Sequence, residues 1–63
     1  MTELFDNKEA ARFLRLKPNT LERYRVLGGG PRFAKLGSRV VYRRSDLEDW
    51  VEARLVSSTS EAV

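Results

Sequence analysis

The side chains able to do chemistry in this sequence are almost all cations. Histidine and cysteine are absent. Their absence removes the commonest general base, the commonest metal ligand, thiolate metal sites and disulfides. The serines (Ser38, Ser45, Ser57, Ser58 and Ser60) have no histidine to activate them, so nucleophilic catalysis lacks its usual base. Asp46, Glu48, Asp49 and Glu52 crowd one segment and read as the solvated face of a helix, not as an acid/base pair. Gly28-Gly29-Gly30 lacks the Lys-Ser/Thr ending of a phosphate loop; Pro31 and Arg32 follow instead. The sequence therefore predicts no catalytic residue, no metal and no cofactor, and an enzyme is the least favoured class.

The cations are segregated. The net charge is +3, but residues 1–11 carry −2, residues 12–44 carry +9 and residues 45–63 carry −4. Ten Lys and Arg residues stand in the middle stretch against one acid, Glu22. Solubility alone requires no such segregation. The middle attracts a polyanion and both ends repel one.

At 63 residues the chain forms one domain. A domain of this size buries about 60% of its unfolded surface. That leaves no room for an enclosed ligand pocket of roughly 300–1,000 Å³. Residues 1–11 have no apolar core of a signal peptide, and no apolar run approaches a membrane span. A bacterial cytoplasmic location fits both observations and the lack of cysteine.

The elements that must position the cations follow from periodicity and caps. A first helix is predicted over 7–14, with Asp6 as N-cap and Glu9 completing a capping box. Phe5 staples onto Ala10, and Ala10, Phe13 and Leu14 form the inward stripe. A turn over 15–17 leads to Pro18, suited to the first position of a helix over 18–27. Leu21, Tyr24 and Leu27 face inward; Asn19, Glu22, Arg23 and Val26 face outward. Gly28 ends this helix, and Gly28 to Pro31 form a flexible connector. Two strands, 33–36 and 39–43, flank a Gly37-Ser38 turn. In the second strand Val40 and Tyr42 make an apolar face opposite a basic one. A third helix opens at Ser45, with Glu48 completing another capping box and Leu47, Trp50, Val51 and Leu55 forming its apolar stripe. Residues 56–63 are Ser-rich, aperiodic and expected to be a disordered tail beyond a domain of residues 1–55.

Two short helices joined by a three-residue turn fit a helix-turn-helix. Asn19, Thr20 and Arg23 are residue types that reach phosphates and base edges, and a helix N-terminus favours phosphate. Glu22 pairs with a neighbouring Arg or accepts from a cytosine amino group. Lys35, Ser38, Arg39, Arg43 and Arg44 cluster at or near the hairpin, more than the protection of an edge strand requires. Tyr24 and Trp50 lie on apolar stripes and read as core. A rival reading is a protein-interaction module using Phe13, Val26 and Val41 as a contact patch, with partner binding insensitive to salt.

These motifs carry a resemblance. Glu9-Ala10-Ala11-x-x-Leu14, Thr20-Leu21-x-x-Tyr24-Arg25, Gly30-Pro31-x-Phe33-x-Lys35-Leu36-Gly37-x-Arg39-Val40-x-Tyr42 and Ser45-Asp46-Leu47-x-x-Trp50-Val51 together resemble the MerR-like winged helix-turn-helix domains of excisionase and AlpA-type regulators. The resemblance covers roughly residues 4–55; Tyr24 stands where that family often has Trp. It implies a mainly α fold of about three helices with a two-stranded wing. It also implies double-stranded DNA as partner and a role in a prophage or integrative element. That role is an excisionase acting with an integrase, a transcriptional regulator, or both. The family's DNA contacts map onto the helix over 18–27 (Asn19, Thr20 and Arg23, with Lys17 at its start and Arg25 toward phosphate). They continue on the wing at Lys35, Ser38, Arg39 and Arg43. The long dimerisation helix of full MerR regulators is missing. A monomer in solution that associates side by side on DNA is therefore expected.

Overall fold

A computed structural model of the chain describes residues 3–56. The order is β1 (Leu4–Phe5), α1 (Asn7–Leu14), α2 (Pro18–Leu27), β2 (Ala34–Leu36), β3 (Arg39–Arg43) and α3 (Arg44–Glu52). This is a small winged helix-turn-helix, three helices with an antiparallel sheet in the order β1-β3-β2.

Both predicted ends of α1 are present. Asp6 Oδ1 accepts from the Glu9 N–H at 2.8 Å, and Glu9 Oε1 accepts from the Asp6 N–H at 2.9 Å. This reciprocal cap is worth about 1 kcal/mol. The helix closes on Arg15 in the left-handed region, φ 59°. The Leu16 N–H donates to the Ala11 carbonyl at 2.8 Å and the Arg15 N–H to that of Arg12 at 3.1 Å, a Schellman closure. Arginine here replaces the usual glycine, so the turn between α1 and α2 holds some backbone strain.

Helix α2 starts on Pro18, as expected, and stops at Gly28, φ 92°. Leu21 is fully buried, but Leu27 is 75% exposed rather than inward. Leu27 is the last helical residue, at the rim of the domain. The connector that follows is pinned instead of flexible. Gly29 offers its carbonyl to Trp50 Nε1 at 2.8 Å and to Arg54 Nη2 at 2.6 Å, and Pro31 is buried. A Cβ on Gly30 would lie 2.7 Å from the Tyr24 Cβ, so only glycine lets the chain pass this close to α2.

The hairpin pairs Ala34 with Val41, Lys35 with Val40 and Leu36 with Arg39. Gly37 at φ 63°, with no positive φ at Ser38, fits the two-residue turn that places glycine first. The wing is not an isolated pair of strands. Leu4 and Phe5 join the other edge of β3, opposite Arg43 and Tyr42. With β3 central, Val41 and Tyr42 are both buried, although neighbouring residues point to opposite faces. The expected apolar/basic alternation of β3 therefore gives way to a strand covered on both sides. Tyr42 joins Ala10, Ala11, Leu21 and Leu47 in the core, with Phe5, Leu14 and Val40 packed against it.

Helix α3 begins at Arg44, and its N-cap is Arg43, not Ser45. No Ser45–Glu48 box forms. The Arg43 guanidinium instead grips Asp46 with two bonds, Nε to Oδ2 at 2.7 Å and Nη2 to Oδ1 at 2.9 Å. Asp46, expected on the solvent face, is buried by this pair. Val51 is 39% exposed and Leu55 66% exposed, and Leu55 lies beyond the helix. The tail expected from residue 56 falls, from residue 57 onward, outside the described residues.

Candidate nucleic-acid interface

Helix α2 is braced from behind. Asn7, the first residue of α1, donates through Nδ2 to the Pro18 carbonyl at 3.2 Å. Its Oδ1 accepts from Arg25 Nη1 at 3.0 Å, and the same Nη1 donates to the Tyr42 hydroxyl at 2.8 Å. Arg25 Cζ also lies 5.9 Å from the centre of the Phe33 ring. Arg25, expected to reach toward phosphate, is thus directed inward as a strut joining α2, α1 and the sheet. Asn7 carries no sequence signal for this role, because all its partners are distant along the chain. Tyr24 meets Trp50 edge-on at 5.3 Å, a link between α2 and α3.

The outward side of α2 is left clear. Asn19 and Arg23 are exposed and Thr20 is half-buried. Lys17, exposed at the N-cap, makes no side-chain cap bond. Glu22 does not pair with an arginine. Its Oε2 accepts from Asn7 Nδ2 at 3.5 Å. Two shallow hollows run along this surface. One, of about 300 Å³, is lined by Thr20, Arg23, Tyr24, Leu27 and Gly28. The other, of about 480 Å³, is lined by Asn19, Glu22, Arg23, Val26 and Leu27.

At the wing, Lys35, Ser38 and Arg39 are exposed around the turn. Arg43, placed with them by sequence reasoning, is committed to Asp46 instead. That bidentate bond holds the Asp46 carboxyl below the usual carboxylate range; burial opposes the shift, and the charges of Arg43 and Arg32 assist it. The Arg43 guanidinium is in turn held more firmly protonated by its bond to Asp46. Arg44 is likewise occupied, 3.3 Å from Glu3 and 3.3 Å from Glu48, and it lies over the Phe13 ring.

The basic stretch therefore divides by partner. Arg25, Arg43 and Arg44 have partners within the domain. Arg12, Arg15, Lys17, Arg23, Arg32, Lys35 and Arg39 are exposed and make no ion pair among the described residues. Arg12, Arg15 and Arg32 join the candidate contacts of α2 and the wing only through their exposure; Arg12 and Arg15 lie off the apolar stripe of α1. The rival contact patch does not assemble: Val41 is buried, and Phe13 sits beneath Arg44 and 5.5 Å from Phe5.

Among the described residues no helix is long and apolar enough to cross a membrane. No curated protein matches the chain. A family model described as a helix-turn-helix domain matches residues 4–55. The match spans the α1–turn–α2 unit, the hairpin and α3, and with it the chain belongs to the helix-turn-helix domain family and is a DNA-binding helix-turn-helix protein.

Proposed function

We propose that this protein binds a specific double-stranded DNA sequence, with α2 in the major groove and the hairpin on the adjacent minor groove or backbone. The observation that carries this reading is the set of seven cations of residues 12–44 that are exposed and make no ion pair among the described residues, four of which (Lys17, Arg23, Lys35 and Arg39) stand at α2 and the wing. Cations left without acids are poised to displace counterions from phosphates, and affinity then falls steeply with salt. The acids of α3 lie on the buttress behind these elements, where they repel the duplex and help set the docking face.

The role that fits is one in a prophage or integrative element. The protein acts as an excisionase, bending DNA beside an integrase, or regulates transcription of the element's genes, or does both. So small a domain covers one short half-site. Several copies bound side by side then supply useful affinity from a protein that is monomeric in solution. An in vitro excision assay with the cognate integrase, run with a footprint of the attachment region, tests the role. Stimulated excision with protection of adjacent repeats supports the excisionase. Protection confined to a promoter without stimulation leaves the regulator. A titration showing salt-insensitive binding and no footprint defeats both.

A further inference from the structure

The outward face of α2 carries an apolar feature that neither phosphate binding nor folding uses. Val26 is 80% exposed and Leu27 75% exposed, side by side on a helix whose opposite face is core. Single exposed apolar residues need no explanation. These two, however, line a hollow that also contains Asn19, Glu22 and Arg23. Asn19, Glu22, Arg23 and Val26 stand at i, i+3, i+4 and i+7. That is the spacing with which a recognition helix presents side chains to base edges. In the major groove the only apolar group on a base edge is the C5-methyl of thymine. Arginine, in contrast, pairs with guanine through O6 and N7. A hollow walled by a guanidinium that makes no ion pair among the described residues and by branched aliphatic carbon matches both groups together.

Resting on the reading that α2 enters the major groove, we infer that Val26 is a specificity-determining residue that packs on a thymine methyl beside a guanine held by Arg23. The partner is a duplex carrying a T·A pair next to a G·C pair under the C-terminal half of α2. Removing one methyl from such a contact weakens binding about fourfold, the equivalent of a buried methylene's transfer free energy.

The test uses the full chain and a duplex selected from a randomised library. Each thymine of that duplex is replaced in turn by deoxyuridine, which deletes the methyl and nothing else. The wild type is expected to lose about fourfold at one thymine adjacent to a guanine. Val26→Ala is expected to be indifferent to that replacement while keeping the wild-type melting temperature. Arg23→Ala serves as the control for groove entry. If Arg23→Ala relaxes sequence preference but no deoxyuridine effect depends on Val26, α2 reads bases and the methyl contact is refuted. If neither Arg23→Ala nor any deoxyuridine matters, the groove reading itself fails and the inference falls with it. If Val26→Ala weakens all duplexes alike and abolishes cooperativity, Val26 faces a second copy of the chain, and the inference is overturned.

Discussion

Replacing Arg25 by methionine separates a strut from a phosphate contact. Methionine keeps much of the aliphatic stem and removes the guanidinium. What is lost is a part-buried charged donor to Asn7 Oδ1 at 3.0 Å and to the Tyr42 hydroxyl at 2.8 Å. Hydrogen bonds to charged groups contribute about 1.5–3 kcal/mol each when counted singly. Both bonds here share one Nη1, so they do not add fully. The ring of Phe33 at 5.9 Å adds about 0.5 kcal/mol. A loss of about 2–4 kcal/mol follows, a large part of the stability of a domain this small. Urea unfolding followed by tryptophan fluorescence measures it, since Trp50 is the only tryptophan and packs on Tyr24 of the same helix. A double-mutant cycle with Tyr42→Phe is expected to show coupling of about 1 kcal/mol or more. The slope of log affinity against log salt, taken where the variant remains folded, is expected to stay unchanged. A stability within about 0.5 kcal/mol of wild type, together with a slope reduced by about 0.9, is the signature of a lost phosphate contact and would refute the strut.

Four further outcomes are expected. Arg23→Ala weakens specific binding by about 1–3 kcal/mol and relaxes sequence preference, read by competition with scrambled duplexes. Arg39→Ala weakens all sequences alike and reduces the salt slope by about 1, read by titration at several salt concentrations. Gly30→Ala sets a Cβ against Tyr24 and lowers stability by about 1–3 kcal/mol, read by thermal melting. The Asp46 carboxyl is depressed in the folded state, so its contribution is complete above the ordinary aspartate value near 3.9 and is lost as pH falls from there through the folded value. Melting at a series of acid pH values is expected to show this loss in the wild type and a flatter acid limb in Asp46→Asn.

What the sequence makes legible is what neighbours along the chain decide. The cap at Asp6, the proline start of α2 and the Gly37 turn are local, and the α1, α2 and β3 boundaries follow from them. Residues missed or misplaced answer to partners far away. Arg25 is drawn inward by Asn7 and Tyr42, 18 and 17 positions distant. β1 is two residues long, too short for a period, and exists because β3 offers it an edge. The start of α3 was a contest between two local motifs. A serine cap competed with an arginine–aspartate pair, and the charge-assisted bidentate bond prevailed over the neutral hydroxyl. The same competition moved Arg43 from the candidate interface to the scaffold. By residue type alone a structural arginine and a DNA-facing one look alike, and only their partners distinguish them.

The carbonyl of Gly29 has a consequence for the DNA itself. Trp50 in the last turn of α3 and Arg54 just beyond the helix hold it, while Gly30 brings the connector close onto Tyr24. The step from α2 to the wing is therefore a fixed length at a fixed angle, not a tether. On the proposed docking, the molecule behaves as a gauge block. The base pairs under α2 and the backbone under the hairpin must sit at one set separation and rotational phase. A single inserted base pair lengthens the duplex by about 3.4 Å and rotates it by about 36°, which a stiff gauge cannot follow.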